Sequence, residues 1–205
     1  MKPADFYKAC LNALNPDVPS EWPDIAGAYN GRAYHNLNHL EEMLGHLPGL
    51  STSLVPTKSW TAAPIFGIAL IYHDIVYRAG RKDNEARSAD RAVAFLQKAG
   101  TNEADQNRCR RLIMATKTHE AATEEEAVLV DLDLAVLARE PGGYDQYARN
   151  VRKEFRLFPD FLYRPGRRKA LQHFLEKPYI YHSKIAREKW ETPARANLKR
   201  ELERL

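Results

Sequence analysis

Cysteine is scarce in this chain: Cys10 and Cys109 are the only two among 205 residues, far apart and in no C-x-x-C pair. That excludes a disulfide scaffold or a cysteine-built zinc site and fits free thiols in a reducing compartment. Long apolar runs are missing too. The most apolar segment, residues 62–72, is about half the roughly 20 residues needed to cross a bilayer. The N-terminal MKPADFYKAC has no signal-peptide core, so a soluble, cytoplasmic protein with no membrane contact is expected. Strand-like alternation bounded by turn signals, internal repeats, low-complexity tracts and Gly/Ser linkers are likewise absent. What remains is ordinary globular composition, 44% hydrophobic and 28% charged, which is enough for one domain over residues 1–205 with a sizeable core.

Charge is unevenly placed. Residues 1–148 carry 15 Lys+Arg and 20 Asp+Glu, net −5, whereas residues 149–205 carry 16 and 7, net +9. A cationic C-terminal quarter on a slightly acidic body suits an anionic partner such as a phosphate, a nucleotide or nucleic acid; the alternative is a solvated basic helix face.

Helical periodicity and breakers predict an all-α fold. Helices are expected over residues 4–14, 22–29, 37–47 (stopped by Pro48-Gly49), 84–99, 103–118, 124–137, 144–158 and 167–176, with a last one starting near Pro193 and a loop at 51–58. From Pro64 the sequence IFGIALIYHD is apolar on every side, so its helix must run through the centre of the domain.

Three segments carry residues suited to metal chemistry. His35 and His39 are four apart, the spacing at which two imidazoles share a helix face and can share a metal; the alternative is one core-facing and one surface histidine. His73-Asp74 ends the apolar helix, where a carboxylate must be paired or coordinate a cation. Both can reach one ion only at the helix edge, and the alternative is a buried His-Asp hydrogen bond. In Val130-Asp131-Leu132-Asp133-Leu134 the aspartates point to different helix faces, so at most one faces a common site, and Asp133 is selected. Two further clusters could meet an anion: the cationic loop Tyr77-Arg78-Ala79-Gly80-Arg81-Lys82-Asp83-Asn84-Glu85, and the helix end Ala115-Thr116-Lys117-Thr118-His119.

The order His39, His73-Asp74, Asp133 resembles the H…HD…D signature of the HD superfamily of metal-dependent phosphohydrolases. The segments RAYHNLNHLEEML, YHDIVY, DNEARSA, ATKTHE and DLDLAVL are similar to one of its less characterised bacterial branches, over about residues 30–140. GRRKAL and ARANLKREL, in the basic helices of residues 141–205, fit the same branch. The resemblance implies an all-α HD-type bundle, a metal held by His39, His73, Asp74 and Asp133, and no ligand role for His35, which is expected to support a ligand or touch substrate. It also departs from family members with an acid about four positions after the HD pair: Arg78 stands there, and the nearest acids, Asp83 and Glu85, lie further on.

Two imidazoles and two carboxylates form a mixed site suited to Mn, Fe, Co, Ni, Zn or Mg. The implied activity is hydrolysis of a phosphoester or phosphoanhydride of a small, nucleotide-like substrate by metal-activated water. Asp74, His119 and Lys117 are the expected catalytic residues, and His35, Arg78, Asp83, Glu85, Lys117 and His119 the expected substrate contacts. The competing expectation is a non-catalytic HD-type domain that binds nucleic acid or a protein through its basic C-terminal segment.

Overall fold

The computed structural model describes residues 1–50 and 63–205, and every regular element among them is helical. In chain order these are α1 (Pro3–Leu14), α2 (Trp22–Tyr29), α3 (Leu37–Leu50), α4 (Pro64–Tyr72), α5 (Asn84–Lys98), α6 (Glu103–Thr118) and α7 (Glu124–Asp133). A 3-10 turn (Leu134–Ala138) follows, then α8 (Pro141–Glu154), α9 (Asp160–Glu176) and α10 (Lys184–Arg204). The all-α expectation is met. The loop expected at 51–58 lies outside the described residues.

α4 has no polar face, and every residue from Ile65 to Tyr72 is buried. Such a helix needs neighbours all round; α1, α5 and α6 pack on it. Gly67 admits α1 at close range, since a Cβ there would fall 2.3 Å from Cys10 Sγ and 3.2 Å from the Phe6 ring. Its buried C-terminal end leaves carbonyls that need donors. Tyr29 Oη donates to Ile71 O at 2.8 Å, His73 Nδ1 lies 2.8 Å from Leu70 O, and the Arg32 guanidinium donates to the carbonyls of Asp74 and Ile75.

α8 spans Pro141–Glu154 against an expected 144–158, and α7 gives way to the 3-10 turn after Asp133 where a helix to 137 was expected; three further boundaries differ at a proline inside a helix. α3 continues through Pro48, α9 begins seven residues earlier than expected and contains Pro165, and α10 begins at Lys184 and contains Pro193. Pro48 falls in the last turn, where a missing N–H removes a single bond. Pro165 and Pro193 stand on exposed faces, where water can take the carbonyl that each leaves unpaired. α10 is started by Ser183, whose side chain accepts from Ala186 N at 3.2 Å.

The basic C-terminal quarter is extensively paired. Arg152 bonds Asp160, Arg167 bonds Glu201, Lys177 bonds Glu120, Arg195 bonds Glu191, and Arg200 and Arg204 share Asp145. The expected cationic surface is therefore much reduced by contacts that tie α8, α9 and α10 together. Within this group α9 buries only Leu171. One continuous core nevertheless runs from Phe6 to Leu198. Among the described residues no helix is long and apolar enough to cross a membrane.

Candidate metal centre

His39 sits in the first turn of α3, His73 and Asp74 just past the end of α4, and Asp133 at the end of α7. α4 ends at Tyr72 with His73 as its C-cap, still in the right-handed helical conformation, and Asp74 follows in the turn beyond; at this helix edge both side chains reach one cluster, with His73 Nε2 3.2 Å from Asp74 Oδ2. One donor atom from each of His39, His73, Asp74 and Asp133 lies within 4.8 Å of all the others, so the four form a group that can hold a metal ion. His39 Nε2 is 3.1 Å from Asp133 Oδ1, and His73 Nε2 is 3.2 Å from Asp74 Oδ2 and 3.7 Å from Asp133 Oδ1.

The donor chemistry fits a cation. With His73 Nδ1 donating its proton to Leu70 O, the lone pair is left on Nε2. That atom is buried and makes no hydrogen bond of acceptable geometry. His39 is held in the same sense, with Nδ1 3.1 Å from the Tyr34 hydroxyl and Nε2 directed at the cluster. Burial opposes charge on His73, Asp74 and Asp133, yet their neighbours pull these three toward the ionised forms. The paired carboxylates hold His73 well above the usual imidazole range, and the surrounding imidazoles hold Asp74 and Asp133 below the usual carboxylate range. Two carboxylates at this depth demand positive charge, which a divalent ion supplies.

Access is from the carboxylate side. The His39 and His73 side chains are 1% exposed, whereas Asp74 and Asp133 keep 13% and 16%. Two more histidines flank this open side: His35 Nε2 is 3.9 Å from Asp74 Oδ2, and His119 Nε2 is 3.6 Å from Asp133 Oδ2. His119 ends α6 in the left-handed conformation, φ 52°, with Phe174 edge-on to its ring and its carbonyl accepting from Lys177 Nζ at 3.0 Å. A non-glycine residue held there is strained, as often happens where a side chain must be aimed.

Other expected site residues are placed elsewhere. Lys117 is exposed on α6 and contacts none of the cluster; its position in the last turn of the helix puts it on the outer face. Asp83 is fully engaged by Arg81, Oδ1 to Nε at 2.7 Å and Oδ2 to Nη2 at 2.6 Å, away from the cluster. Glu85 lies in the first turn of α5 and Arg78 is exposed on the preceding loop, neither in contact with the four ligands. Asp131 is separated from Asp133 as expected: it is fully buried and accepts from His182 N at 2.7 Å and Ser183 N at 2.8 Å, tying α7 to the start of α10.

Two residues were missed by sequence reasoning. Glu154, the last residue of α8, accepts from Tyr34 N, His35 N and His35 Nδ1 at 2.8, 3.0 and 2.7 Å, and the Tyr77 ring stacks on His35 with centroids 3.9 Å apart. Arg32 bonds the carbonyl of His35 as well as those of Asp74 and Ile75. Glu154 stands in none of the quoted segments, and Arg32 opens RAYHNLNHLEEML, where the histidines drew the attention and the arginine had no assigned role. Compared with known protein families, with curated proteins and with solved structures, the chain matches none.

Proposed function

We propose that this chain is a metal-dependent phosphohydrolase of the HD type, acting on a small phosphorylated, nucleotide-like substrate. The observation that carries the reading is the convergence of four donors from three helix ends on one cluster, with the buried Nε2 of His73 making no hydrogen bond. His39, His73, Asp74 and Asp133 would hold the ion. When bound, a divalent cation polarises a phosphoryl oxygen and lowers the pKa of water toward about 7.

The remaining work falls to the chain's own groups. The Leu70 carbonyl holds His73 in the tautomer that offers Nε2, and the Tyr34 hydroxyl orients the His39 ring through Nδ1. His35 and His119 stand at the opening, His35 Nε2 3.9 Å from Asp74 Oδ2 and His119 Nε2 3.6 Å from Asp133 Oδ2, where an imidazole N–H can donate a hydrogen bond to a phosphoryl oxygen. Either can also pass a proton to the departing oxygen. Asp74 serves both as a ligand and as the counter-charge to His35 and His73. Lys117, as an exposed residue, is given no part in this chemistry.

The test joins metal content to turnover. Purified wild-type protein should carry a divalent metal and release phosphate from at least one member of a panel of nucleoside phosphates and sugar phosphates. Asp74→Ala should lose both. Adding the metal should raise the wild-type Tm by several degrees, as for any ligand that binds only the folded state, and leave Asp74→Ala unmoved. Wild-type turnover by metal-stripped Asp74→Ala would overturn the proposal. The competing reading, nucleic-acid binding by the basic quarter, is weakened by the internal pairing of so many of its arginines and lysines.

A further inference from the structure

Beside the metal cluster, on the far side of His35, lies a cavity of about 420 Å³ between loop 77–83 and the end of α8. Its walls include Arg32, Tyr77, Arg78, Lys153, Glu154 and Arg156. Four of these are cations and one is an acid. The acid is fully occupied by His35 and the Tyr34 backbone, and Arg32 is occupied by three backbone carbonyls. Arg78, Lys153 and Arg156 are exposed and, among the described residues, have no acidic partner. Elsewhere in the C-terminal quarter, arginines are repeatedly matched to carboxylates; here three cations from two different segments face one concavity unmatched.

The two segments are held in place. Asn84 clamps the Arg78 backbone, accepting from its N–H at 3.1 Å and donating to its carbonyl at 3.0 Å. Gly80, φ +82°, lets loop 77–83 lie on Phe158, whose ring a Cβ would meet at 2.5 Å. Arg152 donates to the carbonyls of Phe155 and Phe158 and to Asp160, which fixes the turn after α8. Cations gathered on a fixed frame without an acid repel one another, and the arrangement is favourable once an anion fills it.

We infer that this cavity is an anion subsite taking a second phosphate group of the substrate, so that the substrate class is a compound with two or more phosphates instead of a simple monoester. Tyr77 and Glu154 form the wall shared with His35, and His35 is the group that separates the subsite from Asp74. The word substrate rests on the function proposed above; the anion site itself does not.

The probe is inorganic tripolyphosphate, titrated calorimetrically into the full-length protein, with orthophosphate beside it. Tripolyphosphate should bind the metal-stripped wild type and Asp74→Ala, and orthophosphate should bind each at least tenfold more weakly. Lys153→Ala/Arg156→Ala should lower tripolyphosphate affinity at least tenfold and flatten its salt dependence, and Arg78→Ser should reproduce part of the loss. Arg168→Ala/Lys169→Ala, which removes two exposed cations from α9, should change nothing. No tripolyphosphate binding by the wild type, or an equal loss in the α9 variant, overturns the subsite. Turnover by Asp74→Ala with tripolyphosphate binding intact would remove the proposed function and leave the subsite standing. Unchanged binding in Lys153→Ala/Arg156→Ala, with turnover still dependent on Asp74, would do the reverse.

Discussion

A neutral imidazole has one lone pair, and at His73 the Leu70 carbonyl decides which nitrogen carries it. The same residue-scale logic runs through the site: each reactive side chain is fixed by a partner that does no chemistry itself. The reactive set was legible in the sequence because imidazole and carboxylate side chains at the end of a wholly apolar helix must be explained by something, and His39 and Asp133 offered the complement. The fixing set was not. Glu154 meets His35 across 119 residues, and a carboxylate at the end of an amphipathic helix looks like any solvated acid until the tertiary structure buries it. Lys117 erred the other way, since a cation two residues from His119 invites grouping, although positions two apart on a helix face different ways. Glu154 yields a sharp expectation. Glu154→Ala strips two backbone N–H groups of their acceptor, at about 1–3 kcal/mol for each buried donor left unpaired. Urea denaturation should show a loss of roughly 2–4 kcal/mol, with Glu154→Gln losing distinctly less because one acceptor oxygen remains.

At the scale of the element, α4 decides the architecture. Its apolar run announced a central helix, and that reading needed no tertiary information, because a helix with no polar face has only one place to be. The helix ends near prolines were less readable: a proline is a boundary signal where the backbone is buried and a tolerable interruption where water can replace the lost bond. Pro165 and Pro193 belong to the second kind, and nothing local to either distinguishes it from the first. The α1–α4 contact gives the element-scale prediction. Helix propensity would favour Gly67→Ala by up to about 1 kcal/mol. The new methyl would instead meet Cys10 Sγ, and overpacking of this kind typically costs about 1–3 kcal/mol. Gly67→Ala should therefore lower the unfolding free energy in the wild-type background, and the loss should shrink or reverse in a Cys10→Ala background. Equal effects in the two backgrounds, measured as a double-mutant cycle, would place the origin elsewhere.

For the whole molecule, the uneven charge seen in the sequence acquires a different meaning once the partners are known. The surplus in residues 149–205 faces acids of α8, α9 and α10 and, through Lys177, Glu120 just after α6, so it serves mainly to tie the C-terminal helices to one another. Sequence could count these charges but not match them, because matching needs the third dimension. α9 shows what such adhesion implies for motion. A helix that fully buries one side chain, packs only Phe174 and Leu175 partly against the core and is otherwise held by ion pairs has less apolar surface to lose than α4 when it lifts away, so its amides should open to solvent without waiting for the core. Hydrogen–deuterium exchange should find α9 exchanging well ahead of α4 under native conditions, with added salt accelerating α9 by weakening its exposed pairs and leaving α4 at the rate of global unfolding.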